Sequence, residues 1–200
     1  MATIDDRLKD ISEIRSMMEQ SSKFLSLSGL SGISAGIVGI AAAVIAQYFI
    51  DTAGTRSSGS NGAAYFLIGS ILTLIVALSF AANFSVRMAR KKQLPVWSSA
   101  TKSLLVNLFI PLAVGGLFCL ILVYHNILFL IAPAMLIFYG LALLNTSKYT
   151  LREIRYLGMS EICLGLLASI WVQFGIVFWG IGFGILHITY GTFMYFKYEK

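Results

Sequence analysis

Apolar residues in this chain come in long runs, not in alternation, and short polar breaks divide the runs into six spans. The first two, Leu25–Ile50 and Ala63–Phe84, flank residues 51–62, whose Gly, Ser, Thr and Asn content predicts a flexible polar loop. The stretch Leu104–Leu144 would make one helix of about 60 Å at 1.5 Å per residue. That is twice the roughly 30 Å hydrocarbon core of a bilayer. It must fold back, and His125-Asn126 marks the turn, giving Leu104–Tyr124 and Ile127–Leu144. Leu157–Phe196 divides in the same way at Gln173, between Trp171 and Gly175, into Tyr156–Val172 and Phe174–Phe196. A re-entrant loop at Gln173 is the alternative.

Ahead of the first span, residues 3–24 have helical periodicity. Ile4, Leu8, Ile11, Ile14 and Met18 make one apolar stripe, Thr3 suits an N-cap, and Asp5 and Asp6 fall in the first turn, where the helix dipole favours anions. Such a helix either lies along the cytoplasmic membrane surface or docks a cytoplasmic protein through residues 1–23. The expected fold is all-α: a polytopic bundle of six transmembrane helices in three hairpins (residues 25–200), plus an N-terminal amphipathic cytoplasmic helix (residues 1–24).

Composition supports the same class. Of 200 residues, 58% are hydrophobic and 12% charged, against about 25% charged in soluble domains, and mean hydropathy is +0.81. A soluble domain needs more polar cover than that. A soluble enzyme, a disordered chain and a disulfide scaffold are therefore excluded. The tail of mixed charge and the length of the first run argue against a cleavable signal. Cys119 and Cys163 sit in separate apolar runs, without disulfide or metal-ligand spacing.

The net charge of +6 is a matter of topology, not of nucleic-acid binding. All but one of the 15 Lys and Arg residues fall in the tail, the second loop, the fourth loop and the C-terminus; the exception is Arg56. The positive-inside rule then puts both termini in the cytoplasm. Tyr48, Tyr65, Tyr124, Trp171 and Trp179 fall at the outer level; Trp97, Tyr149, Tyr156, Tyr195 and Tyr198 fall at the inner one. Arg87, Arg90, Lys91 and Lys92 suit contact with anionic lipid headgroups.

Small residues let membrane helices approach closely. Gly29, Gly32, Gly36 and Gly39 share one face of the first span. Gly158 and Gly165 mark the fifth, and Gly180, Gly184 and Gly191 the sixth. Two polar residues interrupt these stripes. Glu161 is the only acid inside a span and His187 the only histidine. Counted from Gln173, both lie about 20 Å from the outer turn, so they are expected within hydrogen-bond reach on adjacent antiparallel helices. Tyr190, and Asn107 of the third span, are the next candidates to join. Glu161 has two other outcomes: satisfaction within a purely structural network, or snorkelling to the interface. Pro111 and Pro133 are expected to leave carbonyls without helical donors; Asn83 and Asn145 read as helix ends.

The segments Tyr139–Tyr149, Glu153–Gly158, Phe178–His187 and Met194–Tyr198, with Ser28–Gly32 at the opening, resemble a family of uncharacterised bacterial six-span inner-membrane proteins. Members of that family are often encoded beside small winged-helix transcription regulators. The resemblance implies a regulatory or stress-linked membrane role. It carries no functional residue across. No phosphate loop, dinucleotide fingerprint, zinc-protease helix or serine elbow occurs, and neither a cofactor nor a metal is implied. The leading expectation is a non-enzymatic membrane scaffold, sensor or regulatory partner in the bacterial inner membrane. The alternative is a small transporter or channel subunit built on Glu161 and His187.

Overall fold

The computed structural model describes residues 28–53, 61–93 and 96–200, with backbone alone at 53, 61–68, 70 and 71. The amphipathic helix expected over residues 3–24, with its partner-docking role, lies outside these residues, as do Arg56 and Pro95. Among the described residues there is no strand. The helices are α1 (Gly29–Ala53), α2 (Asn61–Lys91), α3 (Ser99–Tyr124), α4 (Ile131–Thr146), α5 (Glu153–Ile170), α6 (Gly175–Gly180) and α7 (His187–Tyr198). A π-helical segment, Ile181–Leu186, joins α6 to α7 into one continuous rod. Five segments are long and apolar enough to cross a membrane: Gly29–Thr52, Leu72–Lys91, Ser99–Tyr124, Leu128–Tyr149 and Val172–Tyr198. Helix α5 does not join that set, because its 18 residues include Glu153, Arg155 and Glu161.

The helix ends follow from local chemistry. Asn126 takes a left-handed conformation (φ 59°) just after α3. The Asn126 amide donates to the Val123 carbonyl and the Ile127 amide to Leu122, which closes the helix in a Schellman turn at the expected His125-Asn126 break. Helix α2 runs beyond Phe84 to Lys91, so Arg87, Arg90 and Lys91 occupy its last turns and not a loop. Cations there complement the C-terminal end of the helix dipole. Helix α3 begins earlier than expected, at Ser99, because Ser98 and Thr101 form a capping box. Pro133 is the third residue of α4, in a turn where its missing N–H has no helical partner to lose. Pro111 lies inside α3, which continues through it to Tyr124.

Packing is uneven across the three expected hairpins, and the rod meets α4 as well as α5. Helix α2 packs chiefly on α1, and α1 lies along the whole α6–π–α7 rod; α4 pairs closely with α5, and α3 packs chiefly on α4. The rod meets α5 mainly through α6 and the π segment, so the last hairpin is the loosest.

Glycines make the closest crossings. A Cβ added at Gly36 would stand 2.7 Å from the Gly184 carbonyl, and one at Gly191 would stand 2.5 Å from the Ile33 amide and 2.6 Å from the Gly29 carbonyl. Gly29 abuts Gly191 and Tyr195, Gly32 abuts Gly191, and Gly39 abuts Phe183. In the α4–α5 pair, Gly158 and Gly140 face each other, and Gly165 lies against Ile137 and Pro133. Gly180 meets Ala43. The outward faces of α1 and α3 remain apolar and open, with Val44, Phe109 and Leu117 all more than 60% exposed. Lipid tails would cover such a surface.

Candidate functional site: a buried acid, imidazole and phenol

Glu161 sits on the face of α5 that points into the bundle and is fully buried, with 0% exposure; it does not snorkel outward. His187, the first residue of α7, is 6% exposed. The two meet with His187 Nδ1 3.4 Å from Glu161 Oε1. Nδ1 makes its hydrogen bond elsewhere, to the Gly182 carbonyl oxygen at 2.9 Å. A carbonyl only accepts, so Nδ1 carries the hydrogen. In the neutral ring, Nε2 is then the acceptor, and Tyr139 of α4 donates its O–H to it at 2.8 Å. Both Glu161 carboxyl oxygens lack a hydrogen-bond partner among the described residues.

The π segment shapes this arrangement. Gly182 lies within it, and a Cβ there would stand 2.5 Å from both Glu161 Oε2 and Leu136 Cδ2. Glycine at this position leaves free the space that the carboxyl occupies. The Gly182 carbonyl, five residues before His187, is taken by the imidazole ring. Single π turns of this kind are frequent at functional sites. Aromatic rings close the other side: Phe183 stacks near the imidazole at 5.8 Å, Tyr139 lies 4.8 Å from Phe183, and Trp179 lies 4.9 Å from Phe183.

Two expected members do not reach the pair. Tyr190 lies one turn beyond His187, and its buried hydroxyl has no partner among the described residues. Asn107 is engaged elsewhere, donating to the Ser103 carbonyl at 2.7 Å and accepting from Asn145 Nδ2 at 3.1 Å. The cause is topological: α3 packs chiefly on α4, so its amide finds the α4 amide first. Asn145 is therefore a cross-helix partner as well as a helix end. Tyr139, Gly182 and Phe183 are the residues the sequence did not single out. Tyr139 does stand in the segment Leu136–Gly140, a faint echo of Leu186–Gly191.

At the end of the bundle that carries the basic residues, the chain's last turn ties two helices. Lys197 Nζ pairs with Glu153 Oε1, which also accepts from Tyr198 Oη at 2.8 Å. Glu199 accepts from the Gly29 amide and so caps α1. Burial pushes the Glu153 carboxyl up, but the bonds from Lys197 and Tyr198 outweigh it and hold the group below its ordinary range. Arg87, Arg90, Lys91 and Lys92 are exposed at the same end. Among the described residues, no group of three or more His, Cys, Asp or Glu side chains is placed to hold a metal. No family model, curated protein or solved structure matches the chain.

Proposed function

We propose that this is a non-enzymatic, six-span protein of the bacterial inner membrane with both termini in the cytoplasm, acting as a scaffold, sensor or regulatory partner. Helix α5 is the sixth crossing. Its acid is carried inside the bundle, where a buried polar residue is less costly than one facing lipid. The observation that carries the reading is the closed contact at Glu161, fully buried against Gly182 and Leu136. A carboxyl packed this tightly orients helices and leaves little room for a solute. The cytoplasmic partner is engaged by residues 1–23, and the basic turns of α2 hold anionic headgroups. Deleting residues 1–23 tests this: the chain should still insert, and crosslinking of its soluble cytoplasmic partner in cells should be lost. Unchanged crosslinking would contradict the assignment.

A second reading is favoured by one observation, the pair of Glu161 oxygens without a donor. In that reading the chain is a small transporter or channel subunit whose Glu161 and His187 exchange a proton or hold a cation. Flux into liposomes separates the two. Equal flux from wild type, Glu161→Gln and His187→Ala removes both residues from any transport mechanism.

A further inference from the structure

We propose that the proton is the ligand of the Glu161–His187–Tyr139 cluster, and that it arrives from the basic end of the bundle by way of Glu153 and Tyr190. This rests on the second reading to one extent only: the cluster exchanges its proton. Transport across the membrane is not required.

Three buried polar groups among the described residues lack hydrogen-bond partners. They are Glu153 Oε2, the Tyr190 hydroxyl and the Glu161 carboxyl. Buried polar atoms without a protein partner are rare in folded proteins, and those that occur are commonly satisfied by buried water. Glu153 and Glu161 stand eight residues apart on one face of α5, about 12 Å along its axis. On α7, His187, Tyr190, Met194 and Tyr198 recur at three- and four-residue spacing and form one stripe. Tyr190 and Tyr139 pack on the same core of Leu143, Ile154 and Leu157. Glu153 is the mouth. Its Oε1 is engaged by Lys197 and Tyr198 at the surface, while Oε2 is buried.

Among the described residues, the titratable groups facing Glu161 are Tyr139 from α4 and His187 from α7. Helix α1 meets the π segment with Gly36, Gly39 and Ile40, which do not titrate. The route requires water between Glu153 and Tyr190 and between Tyr190 and Tyr139. The last steps then balance without an added reactant. An incoming proton bonds to the Tyr139 oxygen as the Tyr139 hydrogen passes to His187 Nε2. The Nδ1 hydrogen leaves its bond to the Gly182 carbonyl and passes to Glu161 Oε1 as the 3.4 Å gap closes. Glu161 becomes a neutral acid whose Oε1 donates back to Nδ1, while Oε2 keeps no partner among the described residues and the Gly182 carbonyl gives up its donor.

The test uses the full chain in lipid nanodiscs and follows the Glu161 carboxylic-acid C=O band by infrared spectroscopy after transfer from H2O to D2O. Loss of the band in Glu161→Gln identifies it; Glu161→Asp, which moves the band, serves if the Gln variant does not fold. The expected result is a wild-type band that deuterates, with exchange slowed on the order of tenfold or more in Tyr190→Phe, which removes a proton carrier. Tyr124→Phe, at an 82% exposed site, should exchange as wild type does. If Tyr190→Phe exchanges at the wild-type rate, the route is overturned and the cluster stands. A Glu161 band that never deuterates in the wild type overturns both the route and the exchange of a proton at the cluster.

Discussion

Two glycine-lined crossings in this bundle look alike in sequence and serve different ends. Where α1 meets α7, each glycine makes room for backbone: Gly191 faces the Ile33 amide and the Gly29 carbonyl. Where the π segment meets α5, Gly182 makes room for the end of a side chain, the Glu161 carboxyl. Small residues that admit backbone hold two rods at fixed distance. A small residue that admits a carboxyl seats a buried polar group. The same residue type is thus a spacer at one crossing and a wall of the site at the other.

The largest expected effect is at the first crossing. Gly191→Ala should destabilise by about 3 kcal/mol, the upper part of the range for overpacking, because neither backbone contact can yield without moving α1. Thermal unfolding in detergent micelles reads it directly. Tyr139→Phe should follow at about 2 kcal/mol, since it strands the buried Nε2 of His187 without a donor. Gly182→Ala should cost about 1 kcal/mol, because the Glu161 and Leu136 side-chain ends can shift. It should also move the Glu161 infrared band, which Gly191→Ala should leave in place. A Gly182→Ala loss as large as that of Gly191→Ala would erase the distinction. Gly116→Ala should have the opposite sign, stabilising by about 0.5–1 kcal/mol, because nothing lies within 4 Å of the added methyl and helical glycine is entropically costly. The smallest effect concerns the clasp at Glu153. Its carboxyl is held below the ordinary value of 4.5, so its contribution is complete above that value and is lost as pH falls through the lowered one. Unfolding of wild type should therefore sharpen its acid dependence relative to Glu153→Gln, in that acidic window alone.

The run pattern made the helices and the meeting of Glu161 with His187 legible, because similar distance from Gln173 converts to similar height at a fixed rise per residue. It did not say which helices are neighbours beyond those that follow one another in the chain. Asn107 stands on a span that faces α4, and Asn145 claims its amide, a pairing no periodicity reveals. Tyr139 was hidden for the same reason: its bond to His187 joins residues 48 apart on helices that do not follow one another in the chain. The π segment was hidden because Ile181–Leu186 has the composition of any apolar helix, and its wider turn comes from packing. Capping was legible only in part; Ser98-Ser-Ala-Thr101 carries a capping pattern inside a loop dominated by charge.

The six-span reading, and with it a route from the cytoplasm, requires α5 to be a crossing, with Gln173 outside the cell and Lys148 inside. In a chain with Cys119 and Cys163 replaced, single cysteines at these two positions can be probed with a membrane-impermeant thiol reagent. Reaction at position 173 in intact cells, with position 148 reacting only after permeabilisation, is the predicted result. Reaction of both positions from the same side would contradict it.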